Sequence, residues 1–213
     1  YLDMDTYKKK LENFMLNELA LIDKPIILEF GVRKGTSTKE FIKICEKKNG
    51  FLYSIDVDDY SNILKSDKWK FFQCRDDHFE FLENKIPQKF DLIYMDSFHQ
   101  AHHVEKILYH YYPKLKVSGK FVFDDISWLP YLSDNYRNNF NCEINNQETF
   151  ERLLEISRAN QENFDLDFTF VGSGLAKIKK LNENKLSVKQ KIKSRKNSLK
   201  NRIRKIIYSF KNK

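Results

Sequence analysis

Apolar residues recur along this chain in two alternating rhythms. Over roughly residues 5–21, Leu11, Phe14, Met15, Leu19 and Leu21 fall close to helical spacing, and Lys24-Pro25 ends the stretch. Ile26, Ile27, Leu28 and Phe30 then form a short apolar run that stops at Gly31, the pattern of a buried strand. Residues 31–35 read as a loop, with Thr36 or Ser37 placed to cap a helix reaching about Lys48. The alternation repeats. Residues 51–55 predict a strand ending in Asp56, 71–74 one ending near Asp76, 90–95 one ending in Asp96, and 120–123 one ending in Asp124-Asp125. Helical stretches separate these strands, the clearest at about 101–116. A further helix is expected over 147–160, with Phe150, Leu153, Leu154 and Ile156 facing inward. Two late strands, about 164–171 and 174–179, are joined by Gly172-Ser173-Gly174 and predict a hairpin.

Strand–helix alternation implies right-handed crossovers and a parallel sheet. The hairpin makes one late strand antiparallel to the rest. The expected architecture is therefore α/β and Rossmann-like: a seven-stranded, mostly parallel sheet with a C-terminal antiparallel hairpin strand and helices on both faces. Four successive strands each end in one or more Asp. In open α/β sheets ligands bind outside that C-terminal edge. One such Asp is explained by the liking of Asp for loops and helix starts; four in a row point to a site.

The segment Leu28-Glu29-Phe30-Gly31-Val32-Arg33-Lys34-Gly35-Thr36-Ser37 is the most informative. Its glycines allow a sharp turn and close approach to a ligand. It lacks the G-x-G-x-x-G spacing that sets a helix N-terminus against a pyrophosphate. An acid followed by G-x-x-x-G instead resembles the first motif of class I methyltransferases, whose S-adenosylmethionine carries no phosphate. That resemblance implies that Glu29 helps hold the methionyl amino group, directly or through water. It implies that Gly31 and Gly35 shape the pocket and that Ser37 adds a polar contact. Asp56, at the end of the next strand, stands where an acid accepts from both ribose hydroxyls; Asp58 and Asp59 are neighbouring candidates, and a helix cap is the plainer alternative. Asp76 or Asp77 falls where the family places an adenine contact.

Asp96-Ser97-Phe98-His99 and Phe123-Asp124-Asp125-Ile126 are expected at the ends of adjacent strands. Carboxylates converging there repel one another, and a bound divalent cation removes that cost. Oxygen ligands without Cys suggest Mg²⁺ or Mn²⁺ over Zn²⁺. Tyr94-Met95-Asp96-x-x-His99 followed by Gly119-Lys-Phe-Val-Phe-Asp124-Asp125 resembles the small-molecule O-methyltransferases that act on sugars of natural products, of the macrocin O-methyltransferase kind. Cephalosporin-hydroxylase-like proteins share that framework, and the resemblance spans roughly residues 25–180. It implies Asp96, Asp124 and Asp125 as metal ligands, with Asp96 also beside the cofactor. A hydroxyl bound to such an ion is acidified and positioned. His99 is the first candidate for the base that takes its proton, with a surface or capping histidine as the alternative; His102 and His103 stand nearby. The chain departs from the family in carrying Ser97 where Gly often follows the first Asp, and Ala101 where an aromatic usually stands.

Trp128, Tyr131, Tyr136, Arg137, Phe140, Asn145 and Asn146 make residues 127–160 an aromatic and amide-rich insertion on the ligand edge, suited to a sugar, to packing as a lid, or to a contact between copies in a homo-oligomer. Residues 1–181 are thus expected to form the methyltransferase domain. Residues 182–213 form a tail with a different character. The net charge of +8 is concentrated there: the tail holds 12 Lys+Arg and one acid, Glu183, which leaves 26 basic residues against 29 acidic ones in the body. Ile192, Leu199, Ile203, Ile206 and Phe210 form one helical stripe among its cations. A basic amphipathic helix suggests peripheral contact with an anionic membrane surface; RNA, and hence an RNA methyltransferase, is the less favoured partner. A solvated extension is the plain alternative. Cys45, Cys74 and Cys142 are odd in number and widely spaced, which fits a reducing, cytoplasmic setting better than a disulfide framework. No signal peptide or bilayer-length apolar run is visible in a chain that opens at Tyr1. A hydroxylase-like relative and a cofactor-binding module without catalysis remain the other readings.

Overall fold

A computed structural model describes residues 4–128, 140–192 and 198–211. Among them the strands are β1 (Ile26–Phe30), β2 (Phe51–Asp56), β3 (Trp69–Gln73), β4 (Phe90–Met95), β5 (Leu115–Asp124), β6 (Phe164–Thr169) and β7 (Leu175–Lys180). They form a seven-stranded sheet in the order β3-β2-β1-β4-β5-β7-β6. The pairs from β3 to β5 are parallel; β7 runs antiparallel to both β5 and β6. The Rossmann-like expectation holds. The chain order reverses direction between β1 and β4, and that switch point opens a crevice at the C-terminal edge.

The helices are α1 (Met4–Leu11), continued through a π-turn at Glu12–Leu16 into α2 (Asn17–Leu19), then α3 (Thr36–Lys48), α4 (Phe79–Glu83), α5 (Ala101–Tyr111), α6 (Phe140–Ala159) and α7 (Leu199–Lys211). Side chains alternate across a strand, so each central strand feeds two cores. Ile27, Leu52, Leu92, Tyr94 and Val122 pack with Leu11, Met15 and Phe41 under the N-terminal helices and α3. Leu28, Phe30, Ile93, Met95, Phe121 and Phe123 pack with Val104, Ile107, Leu153 and Ile156 of α5 and α6. All of β4 is buried, including Asp91, whose carboxylate accepts from Ile26 N and Lys116 Nζ.

Several boundaries differ from the periodicity. β3 begins at Trp69 rather than residue 71, because Trp69 and Lys70 already pair with Leu52 and Tyr53 of β2. The helix expected to 116 ends at Tyr111 in a short 3₁₀ turn, Tyr112–Lys114, since Pro113 has no N–H to continue it. β5 then starts at Leu115, earlier than the apolar run shows. Neither Thr36 nor Ser37 caps α3: Gly35 is the N-cap at φ 68°, with no side-chain cap bond. Tyr131, Tyr136 and Arg137 lie outside the described residues. Residues 182–192 lie extended along the body. Ser187 O accepts from Tyr109 Oη and Asn160 Nδ2, the Lys189 ammonium meets Glu105 at 2.6 Å, and Gln190 N donates to Glu155 O. Among the described residues no helix is long and apolar enough to cross a membrane.

Candidate active site at the C-terminal edge of the sheet

The C-terminal ends of β1, β2, β3 and β4 surround a cavity of about 470 Å³ whose lining includes Gly31, Asp56, Tyr60, Asp76, Asp96 and Phe98. Gly31, at φ 90°, closes the floor: a Cβ there would lie 2.0 Å from the Asp96 carbonyl oxygen. No L-residue with a side chain fits that backbone or that gap. Its N–H bonds Ile55 O, while Asp96 N bonds Phe30 O, so the loop after β1 is tied to both neighbouring strands.

Asp56 secures the same loop. Its Oδ2 accepts from the backbone N–H of Val32 at 2.7 Å and Arg33 at 3.3 Å, and its Oδ1 accepts from Asp58 N. Arg33 sits at φ 49°, which turns consecutive N–H groups toward that carboxylate. Asp76 is buried. It accepts from Ser97 Oγ at 2.5 Å and pairs with His103 Nε2 at 2.9 Å, while Tyr111 Oη donates to its carbonyl. His103 is thus a buried partner of Asp76 rather than a group facing an acceptor, and His102 is exposed.

Glu29 does not line the cavity. It lies beneath the loop, out of contact with solvent, and accepts from Ser37 Oγ (2.6 Å), Thr38 Oγ1 (2.9 Å) and Ser54 Oγ (2.6 Å). Trp69 Nε1 donates to Ser54 Oγ, which commits the serine proton to Glu29. Burial pushes the Glu29 carboxyl up to about 7 against the pull of these hydroxyls. The Ser37 hydroxyl is spent on Glu29, not aimed into the cavity.

Beside the cavity, Asp96, His99 and Asp125 converge. One ligand atom from each lies within 4.8 Å of the others. His99 Nε2 is 3.3 Å from Asp96 Oδ1 and 3.5 Å from Asp125 Oδ2. Burial weighs against charge on His99, but the carboxylates of Asp125 and Asp96 outweigh it and raise its pKa to about 9. Desolvation first, then the charge of Asp124, lifts Asp96 to about 6. Asp125 holds φ 58°, a turn that swings its carboxylate out of the strand alternation.

Asp124, expected as a ligand in this group, faces elsewhere. It follows Val122 in strand parity and so points under α1. There its carboxylate takes Lys10 Nζ at 2.8 Å, Ser173 Oγ at 2.8 Å and Tyr94 Oη at 2.8 Å, with Tyr7 Oη at 3.3 Å. The group beside the cavity is therefore Asp96 and Asp125 with His99, and Asp124 is the anchor of a buried polar network. Lys10 and Tyr7 carry no motif. Lys10 is one of three consecutive lysines, and nothing in that run marks it as the buried one.

A family described as "Methyltransferase domain" matches residues 28–126, a span that holds both Glu29 and Asp125. Among curated proteins, none matches the chain. Among solved structures, the fold is similar to that of MycE methyltransferase from the mycinamycin biosynthetic pathway, solved with Mg and SAH, at 19% identity and a TM-score of 0.57 over 85% of this chain and 50% of that one. The present chain thus spans half the length of MycE. A Staphylococcus aureus protein described as a caffeoyl-CoA O-methyltransferase matches at 18% identity and TM-score 0.59, over 84% and 83%. SAH-bound PaMTH1 of Podospora anserina matches at 15% and 0.57, over 85% and 89%. Residues 28–126 thus match a methyltransferase domain, and the fold is the one shared by the SAH-bound methyltransferases MycE and PaMTH1.

Proposed function

We propose that this chain transfers the methyl group of S-adenosylmethionine to a hydroxyl on a small or glycan-linked acceptor, with a divalent cation at Asp96 and Asp125. The observation that carries the reading is the meeting of Asp96, His99 and Asp125 at the mouth of a cavity that Asp96 itself lines.

The cofactor's nucleoside fits between Asp56 and Asp76, with Gly31 giving it room. A ribose engages the Asp56 carboxylate, whose bonds to Val32 N and Arg33 N fix its position beforehand. Glu29 acts from below the loop, where its bonds to Ser37, Thr38 and Ser54 fix the backbone that faces the methionyl group. The two carboxylates suit an ion of the Mg²⁺ or Mn²⁺ kind. When bound, such an ion lowers the pKa of an acceptor hydroxyl and orients it. In the transfer, the acceptor oxygen forms a bond to the methyl carbon as the carbon–sulfur bond breaks, and that electron pair returns to sulfur. His99 Nε2 takes the hydroxyl proton once the charge of Asp96 and Asp125, which otherwise keeps the ring protonated, is neutralised. Trp128 and Phe150, with ring centroids 4.6 Å apart, and Phe170, 42% exposed, offer aromatic surface for the body of a sugar.

The test is transfer from methyl-labelled S-adenosylmethionine to a panel of glycosides and catechols, with product identified by the mass of one added methylene. Labelling that is abolished by a chelator, restored by Mn²⁺ and lost in His99→Gln is expected. Transfer indifferent to chelator and to His99→Gln overturns the metal-assisted reading.

A further inference from the structure

The helix α7 (Leu199–Lys211) takes no part in the site, yet its composition is strongly patterned. At 100° per residue, Leu199, Ile203, Ile206, Ile207 and Phe210 fall on one arc. Leu199 is 73% exposed, Ile203 49%, Ile207 49% and Phe210 78%. Lys200 and Arg204 border that arc on one side and Arg202 on the other, with Lys205 beyond; the helix holds no acid.

We propose that α7 is a docking helix that lies in the face of an anionic lipid bilayer, its apolar arc among the acyl chains and its flanking cations on the headgroups. The charge distribution selects this occupant. A second copy of the helix would set lysine and arginine flanks against their like across the apolar seam, which repels. A polyanion such as RNA satisfies the cations but leaves the isoleucines and Phe210 in water. Only a surface that is apolar within and anionic at its rim matches both parts of the pattern. A helix of this length lies on a membrane rather than through it. The arrangement holds the enzyme at the surface where a lipid-linked or membrane-proximal acceptor resides.

Co-sedimentation of the full chain with vesicles tests it. Vesicles of equal parts phosphatidylglycerol and phosphatidylcholine are compared with phosphatidylcholine alone. Binding to the anionic vesicles at least about tenfold stronger, and weakened by added salt, is expected. Arg202→Gln lowers that partitioning about fivefold. Ile203→Asp with Phe210→Asp removes it while binding of S-adenosylhomocysteine stays intact, which shows that the body remains folded. A Phe210→Trp reporter shifts its emission to the blue on adding anionic vesicles. No sedimentation with anionic vesicles overturns the proposal. So does vesicle binding that survives the double Asp substitution, and so does retention on RNA with equal affinity for both kinds of vesicle.

Discussion

The Nζ of Lys10 lies 2.8 Å from Oδ1 of Asp124, and both side chains are shut away from solvent. An ion pair in that setting is costly to break, because removing one partner strands the other charge in a medium of low polarity. Lys10→Met is expected to lower the unfolding free energy by about 3–5 kcal/mol. Lys10→Met with Asp124→Asn recovers at least half of that, since no charge is left buried. Denaturant unfolding of the two single variants and the double variant measures the coupling. Additive single losses contradict it.

Glu29 gives the protein a pH-dependent stability of opposite sign to that of a salt-bridged carboxylate. Its pKa rises from an ordinary 4.5 to about 7, so the native state favours the protonated form. The resulting stabilisation is fully present below pH 4.5, declines as pH rises, and is gone above about 7. The span corresponds to about 3 kcal/mol. Glu29→Gln has nothing to titrate. The unfolding free energy of the wild type minus that of Glu29→Gln is therefore expected to fall by about that amount from acidic to neutral pH, and a difference that rises instead is incompatible with the buried carboxyl.

Gly31 and Gly35 both have positive φ but differ in what a methyl group meets. At Gly31 a Cβ strikes backbone, the Asp96 carbonyl oxygen at 2.0 Å; at Gly35 it strikes the tip of the Ile63 side chain at 2.6 Å. Gly31→Ala is expected to abolish binding of S-adenosylhomocysteine and to cost at least ~1–3 kcal/mol. Gly35→Ala costs less and leaves measurable affinity, because Ile63 can rotate away. Calorimetric titration and thermal unfolding of the pair decide this, and equal effects contradict the geometry.

Two histidines near the cavity separate by role. His99→Gln is expected to lower kcat by about 10²–10⁴ with the S-adenosylhomocysteine Kd unchanged. His103→Leu removes a buried partner of Asp76 and weakens that Kd about tenfold, with kcat at saturating cofactor nearly unchanged. Kinetics and titration on both variants check the assignment, and a reversal of the two patterns excludes it.

The strand ends were legible because buried parallel strands are short apolar runs and their terminal acids interrupt them. Asp56, Asp76 and Asp96 meet at one cavity for that reason. What alternation could have added is facing. Ile27 and Glu29 share a face, as do Val122 and Asp124, and that face lies under α3 and α1. Parity alone therefore assigns Glu29 and Asp124 to the interior and leaves Asp125, turned by its positive φ, for the site. Local capping rules missed the Ser37 and Thr38 bonds because their acceptor, Glu29, is reached only through the fold. Lys10 and Tyr7 were illegible for the same reason: they lie more than a hundred residues from Asp124 in sequence.

The most direct measurement of the central claim is calorimetric titration of S-adenosylhomocysteine into the wild type and into Asp56→Asn. The asparagine keeps an acceptor for Val32 N–H but removes the charge at the cavity's edge. Saturable one-to-one binding by the wild type, weakened about 10–100-fold in the variant, is the expected result. Absence of saturable binding by the folded wild type, or equal affinity in both proteins, contradicts a nucleoside held at Asp56 and with it the assignment of this cavity.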